Sequence, residues 1–283
     1  MPQELNSANP MPKKLSEIAI HTITNKPWST EQCIKEYASA GIGGITFWRY
    51  SFEGRDPKDV GRQARESGLK VTSVARGGFF TGQTQEQRQN SIDENKRAID
   101  ESHEVGSPSL VLVCGSTPGQ GLRESRQQIE EGIEQCLDHA AEAGVVLAIE
   151  PLHPLYAADR SAINTMEQAN EICENLNSHP NIGIAVDVYH TWWDDHLKHQ
   201  IERCASNGNL TSFHICDWLS PMQDTLNDRG LMGEGTINIS EISEWINSTG
   251  FAGSHEVEIF SNRWWNSDQS EYLKKIVNYF EKN

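Results

Sequence analysis

The stretch whose reading decides the fold is NIGIAVDVYHTWWDD, residues 181–195. It opens as a buried strand, with Ile182, Ile184, Ala185 and Val186 nearly continuous. It then turns to Asp187, with His190 three residues on and Trp192 and Trp193 directly after. An unbroken, partly β-branched apolar run suits a strand covered on both faces, and such strands belong to parallel sheets flanked by helices. A carboxylate at the mouth of that run costs free energy unless something pairs with it.

Working outward, the same kind of run recurs seven times: EIAIHTI at 17–23, GGITFWRY at 43–50, KVTSVAR at 70–76, SLVLVCG at 109–115, VVLAIEPLH at 145–153, TSFHICDW at 211–218 and HEVEIFS at 255–261. Between them lie helical patterns. STEQCIKEYASAG has Ser29 or Thr30 to cap it and ends at Gly41. LRESRQQIEEGIEQCLDHAAEAG sets Ile129, Ile133, Cys136, Leu137, Ala140 and Ala141 on one face and stops at Gly144. INTMEQANEICENLNSHP, INISEISEWINSTG and DQSEYLKKIVNYFEKN read the same way. Eight alternating units predict an α/β chain folded as a (β/α)8 TIM barrel, one domain over residues 1–283. The rival, an open doubly wound sheet, usually shows a Gly-rich phosphate turn after its first strand, and HTITNKPW at 21–28 is no such turn.

Charge narrows the function. Lys plus Arg is 24 against 40 Asp plus Glu, a formal charge of −16. That balance opposes a nucleic-acid-binding face, which needs a basic stripe. No run approaches the ~20 apolar residues of a membrane span, and MPQELNSANPMPKK at the start lacks the apolar core of a signal peptide. The six cysteines are scattered singly with no CxxC, which fits reduced core thiols and a cytoplasmic location.

In a barrel, chemistry gathers at the C-terminal ends of the strands. The last four runs deliver Glu150, Asp187, His214 and Glu258 to that rim. Alone, each has an ordinary structural role: a rim salt bridge for Glu150, a helix cap for Asp187, a core imidazole for His214. Together, three carboxylates in a low-dielectric mouth would repel one another, and a divalent cation removes that repulsion. Mixed oxygen and nitrogen ligation suits one Mn2+ first, with Mg2+, Co2+ or Zn2+ as alternatives. Glu256 shares its parity with Glu258, so both can face inward. Glu258 lies nearer the strand's C-terminal end.

The segments AIEPLHP, VDVYHTWWD, FHICDW, DRGLMGEGTIN and EVEIFS resemble the sugar phosphate isomerase/epimerase family, the xylose isomerase-like barrels that include ketose 3-epimerases and hydroxypyruvate isomerase. The resemblance covers nearly the whole chain. It implies a metal held by Glu150, Asp187, His214 and Glu258, with Glu150 and Glu258 as acid/base groups. It also implies substrate contacts from His190 and Arg229. The related endonuclease IV group carries extra histidines on earlier strands and an Asp-x-His motif. Here those places read SVARGG, VCGS and Asp228-Arg229-Gly230.

The chemistry expected is sugar isomerisation or epimerisation through a metal-stabilised enediolate. The alternative is a metal-dependent lyase or dehydratase on a keto sugar or glycoside, where the same intermediate expels a leaving group. A non-catalytic polyol-binding barrel is the third reading. Trp48, His153 and Asp217 join His190 and Arg229 as expected sugar contacts, with His21, Arg49, Arg76, Tyr156, Arg160, Trp192 and Trp193 nearby. Arg160 and Arg229 suit a carboxylate or phosphate. The expected partner is thus a small sugar or sugar derivative. Trp264 and Trp265 suit a lid or a homo-oligomer contact.

Overall fold

The computed structural model describes residues 14–282. The opening stretch read above for a signal peptide lies, up to residue 13, outside them, as does Asn283. Eight parallel strands close into a barrel: β1 (Ile18–His21), β2 (Gly44–Trp48), β3 (Lys70–Gly78), β4 (Ser109–Val113), β5 (Val146–Ile149), β6 (Ile182–Asp187), β7 (Leu210–Ile215) and β8 (His255–Val257). Each pairs with the one before it, and β8 closes on β1 with Ile18 opposite His255.

Eight main helices cover the sheet: α1 (Thr30–Ser39), α2 (Pro57–Glu66), α3 (Gln85–Val105), α4 (Leu122–Ala143), α5 (Met166–Asn175), α6 (Leu197–Ser206), α7 (Ile239–Ser248) and α8 (Gln269–Lys282). Ser29 caps α1 with a reciprocal bond from Gln32, and Gly144 ends α4 in the left-handed region at φ 68°. The core sits between sheet and helices, where Tyr37, Phe47, Ile99, Leu110, Ile133 and Ile184 are fully or almost fully buried. All six cysteines are buried and unpaired. No helix among the described residues is long and apolar enough to cross a membrane.

Several strands are shorter than their apolar runs, and local chemistry explains why. β5 stops before Glu150, where Pro151 and Pro154 remove donors. β6 gives way to one helical turn, Val188–Thr191, capped by Asp187 itself. Beyond β8 the ladder to β1 is replaced by a side chain. The Thr24 hydroxyl donates to the Val257 carbonyl (3.0 Å) and accepts from the Ile259 N–H (3.1 Å). After β7 a small antiparallel ribbon pairs Asp217–Trp218 with Arg229–Gly230.

Candidate metal centre and substrate cavity

Glu150, Asp187, His214 and Glu258 each bring one ligating atom into a group whose atoms all lie within 4.8 Å of one another, and all four residues are buried. The backbone places each. The Glu150 N–H donates to the Leu112 carbonyl (3.1 Å), keeping the chain extended one residue past β5. Asp187 works with both oxygens: Oδ1 accepts from the Tyr189 N–H (2.8 Å) as a helix cap, and Oδ2 faces the cluster. His214 lies opposite Asp187 in the β6–β7 ladder. Its Nδ1 is 3.0 Å from Glu150 Oε1 and 4.0 Å from Glu258 Oε2, and its Nε2 has no hydrogen-bond partner among the described residues. Glu258 sets Oε1 2.9 Å from His21 Nδ1 and Oε2 2.9 Å from Arg229 Nη1.

Charge balance tests whether this donor set suits a cation. Three carboxylates share the cluster with one guanidinium, Arg229, which donates to Asp187 Oδ2 (2.8 Å) and Glu258 Oε2 (2.9 Å). Two negative charges remain, and protons balance them in the chain by itself. Burial pushes the Asp187 carboxyl up to about 7, against the pull of Arg229. Burial opposes a charge on His214, but its hydrogen bond to the Glu150 carboxylate and the fields of Glu258 and Glu256 outweigh it and lift the imidazole to about 10. Burial also opposes ionisation of Glu258, yet His21 and Arg229 hold it well below the usual carboxylate range. A divalent cation fits the two-charge deficit and would displace those protons, as ligation requires. The site accommodates the expected metal.

Above the cluster lies a cavity of about 190 Å3, with Glu150, Glu258, His190, Arg229 and Trp48 among its walls. Asp187 and His214, fully buried, are not among its walls. His190 Nδ1 accepts from the His153 N–H (3.2 Å), and its Nε2 lies 3.1 Å from Arg229 Nη2, which can only donate, and 3.7 Å from Asp187 Oδ2. Burial, then Arg229, depresses its pKa well below the ordinary value, so the ring is neutral. His190 thus meets both the cavity and the carboxylate of Asp187.

Two expected sugar contacts are placed elsewhere. The Asp217 carboxylate accepts four backbone N–H groups, from Trp218 (2.9 Å), Gly233 (2.9 Å), Gly235 (2.8 Å) and Ile237 (3.0 Å), because it ties down the loop that carries Arg229. The His153 ring packs on Trp218 at 4.8 Å between centroids, outside the cavity walls. Trp192 also packs against Trp218, and Trp193 donates to the His190 carbonyl (2.8 Å). Trp264 stacks flat on Tyr272, and Trp265 donates to the Ile23 carbonyl (2.8 Å), so both pack against their own chain. His21, read from the sequence as a sugar contact, forms a second close group with His214 and Glu258. Its position at the end of β1 is the signal that marks it.

A closed parallel barrel with its ionisable cluster at the C-terminal strand ends has the anatomy of barrel enzymes. The chain belongs to the xylose isomerase-like TIM barrel family, whose model matches residues 34–282. Protein SMc04130 from Sinorhizobium meliloti 1021 superposes with a TM-score of 0.88 at 42% identity, covering 95% of this chain and 98% of that one. L-ribulose-5-phosphate 3-epimerase UlaE of Salmonella typhi is 24% identical over 202 residues, 69% of this chain and 66% of that protein, so the match falls just short of two thirds of its length. The fold also matches the IolI protein crystallised with a zinc atom, with a TM-score of 0.79 at 19% identity over 94% of this chain and 98% of that one.

Proposed function

We propose that this chain is a divalent-metal-dependent sugar epimerase or isomerase, with Glu150, Asp187, His214 and Glu258 holding the metal. The convergence of those four buried side chains within 4.8 Å carries the reading. The name of the UlaE relative and the zinc in the IolI crystal agree with it. A bound cation supplies Lewis acidity, making a C–H beside a substrate carbonyl easier to deprotonate.

The protein's own groups do the rest. Glu150 from the β5 end and Glu258 from the β8 end both reach the cavity, from different strands, and can take and return a proton on different faces of a substrate carbon. Glu258 is held ionised by His21 and Arg229. Neutral His190 lines the cavity within reach of a substrate oxygen, and Arg229 keeps Asp187 and Glu258 fixed. Trp48 and Phe260, edge to face at 5.1 Å, form an apolar wall that excludes water from the reacting carbon.

A panel of free and phosphorylated ketoses in D2O with Mn2+, followed by proton NMR, tests this. Metal-dependent deuterium entry beside the carbonyl, with the carbon skeleton and water content conserved, is the expected result. Loss of water or of an aglycone would instead establish a lyase. Exchange that is the same without added metal and after chelation would remove the metal from the proposal.

A further inference from the structure

Two arginines on the cavity wall stand apart from the others. Arg76 and Arg160 both line the 190 Å3 cavity, and neither guanidinium has a hydrogen bond or a carboxylate within ion-pair distance among the described residues. Their neighbours are engaged. Arg229 grips Asp187 and Glu258, and Arg49 is forked onto Glu101 (2.6 and 3.0 Å) with Glu94 at 2.8 Å. In a chain with 40 acidic side chains to 24 basic ones, two unpaired guanidiniums facing one small cavity are out of keeping with the surroundings. Half-buried like charges oppose each other: burial, then the field of Arg160, lowers the pKa of Arg76.

Both arginines are held in place. Arg76 precedes Gly77 and Gly78 at the end of β3. The buried Asn95 amide accepts from the Gly78 N–H (2.6 Å) and donates to its carbonyl (2.7 Å). Gly78 has φ +106°, and a Cβ there would come within 2.0 Å of the Val113 carbonyl, so the strand end has one path. The Arg76 guanidinium lies over the Phe79 ring at 4.4 Å, and that of Arg160 over Tyr156 at 5.8 Å. The Tyr156 hydroxyl donates to the Thr225 carbonyl, which anchors that ring. Aromatic faces can hold guanidinium planes while their N–H edges stay open for planar, bidentate recognition of an anion. Arg76 and Trp48 also border the adjoining cleft of about 570 Å3, so Arg76 stands between that cleft and the carboxylate cluster.

We propose that Arg76 and Arg160 form an anion subsite, and that the substrate is a single sugar unit carrying a carboxylate or a phosphate in addition to its reacting carbonyl. This rests on the sugar epimerase or isomerase reading of the same cavity and adds the class of substrate. The cavity is smaller than sites for drug-sized ligands, which suits one sugar unit.

Binding of inert five-carbon probes tests the subsite without turnover. Xylitol, xylonate and xylitol 5-phosphate, titrated calorimetrically into Mn2+-supplemented protein, differ only in the terminal group. One of the two anions is expected to bind at least about tenfold more tightly than xylitol, and which one it is names the group. Arg76→Gln and Arg160→Gln are each expected to remove about tenfold of that advantage while leaving xylitol binding and metal content unchanged. Thermal melts report folding, and Arg160→Gln, on a loop, carries the test if Arg76→Gln melts early. Anions that bind no more tightly than xylitol, or an advantage retained in Arg160→Gln and in any folded Arg76→Gln protein, overturn the subsite. Because no turnover is measured, anion preference without deuterium exchange would sink the epimerase reading alone, and exchange without anion preference would sink only the subsite.

Discussion

Glu256 and Glu258 leave the end of one strand on the same side, two residues apart, and meet different company. Glu256 points into the barrel, where its Oε2 accepts from the hydroxyls of Thr46 (2.5 Å), Thr72 (3.1 Å) and Ser73 (3.1 Å), with His21 Nε2 at 3.4 Å. Glu258, one layer higher, meets two cationic or ionisable partners and the cavity. Against burial, His21, the field of His214 and the hydroxyls together hold the lower carboxylate ionised, its pKa down to about 2. The upper one sits among carboxylates that only protons or a cation can balance. The difference teaches that a buried acid is not by itself a functional signal. What separates the two layers is whether the fold supplies enough donors of its own.

The largest expected effect breaks that pair apart. Glu258→Gln is expected to lower turnover roughly 10³-fold, as loss of a general base does, with little change in melting temperature. Glu256→Gln is expected to do the reverse. It should leave turnover within about tenfold and reduce stability to denaturant by roughly 2–3 kcal/mol, since hydrogen bonds to a charged acceptor are lost. Measuring kcat and unfolding on both variants decides it, and an opposite ranking would hand the acid/base role to Glu256.

A second test compares the rim with the floor. His255, at the start of β8, packs against Phe213 with no partner for Nε2 among the described residues, and burial alone holds its pKa down to about 4 from 6.5. Above pH 6.5 the ring is neutral whether folded or not. As the pH falls below 6.5 the unfolded chain takes up the proton first, so stability is lost down to about pH 4, by up to roughly 3 kcal/mol. Urea titrations from pH 7 to 4 are expected to show this slope in the wild type and a shallower one in His255→Asn. Identical slopes would assign the acid sensitivity to the rim.

The smallest effect concerns the loop. Asp217→Asn puts an amide N–H where a carboxylate oxygen meets two backbone donors. It is expected to cost about 1–2 kcal/mol without altering the number of metal ions bound. Elemental analysis beside a thermal melt checks both halves, and a lost metal would mean that the loop is needed to hold the cluster.

The sequence makes the barrel legible because each buried strand is a compact apolar run ending in a polar break, as at Val186-Asp187. The rim residues follow from that register alone. What the sequence conceals has physical causes. The helix α3 buries only Ile92, Ala98, Ile99, Val105 and a few polar residues along 21 positions, so its stripe is too thin to see. Its clearer marks are the Thr84–Gln87 capping box and Gly106 at its end. The hydroxyl layer beneath Glu256 hides because threonine and serine in a strand look like ordinary β residues. Asp217 misleads because a carboxylate at a strand end reads as a ligand contact until its four backbone donors are visible. The second task of Arg229, fixing Asp187 and Glu258, is hidden because those partners lie 42 and 29 residues away along the chain.

The ribbon that pairs Asp217–Trp218 with Arg229–Gly230 makes a closed loop of the segment between them. Both ends of the intervening segment, residues 219–228, are fastened: one to the carboxylate that gathers the loop, the other to the guanidinium that steadies the cluster. Leu226 of that segment reaches the cavity wall, and Thr225 receives the Tyr156 hydroxyl. The segment is therefore a strap pinned at both ends, so that a change in its middle would reshape one cavity wall without moving the side chains that anchor it.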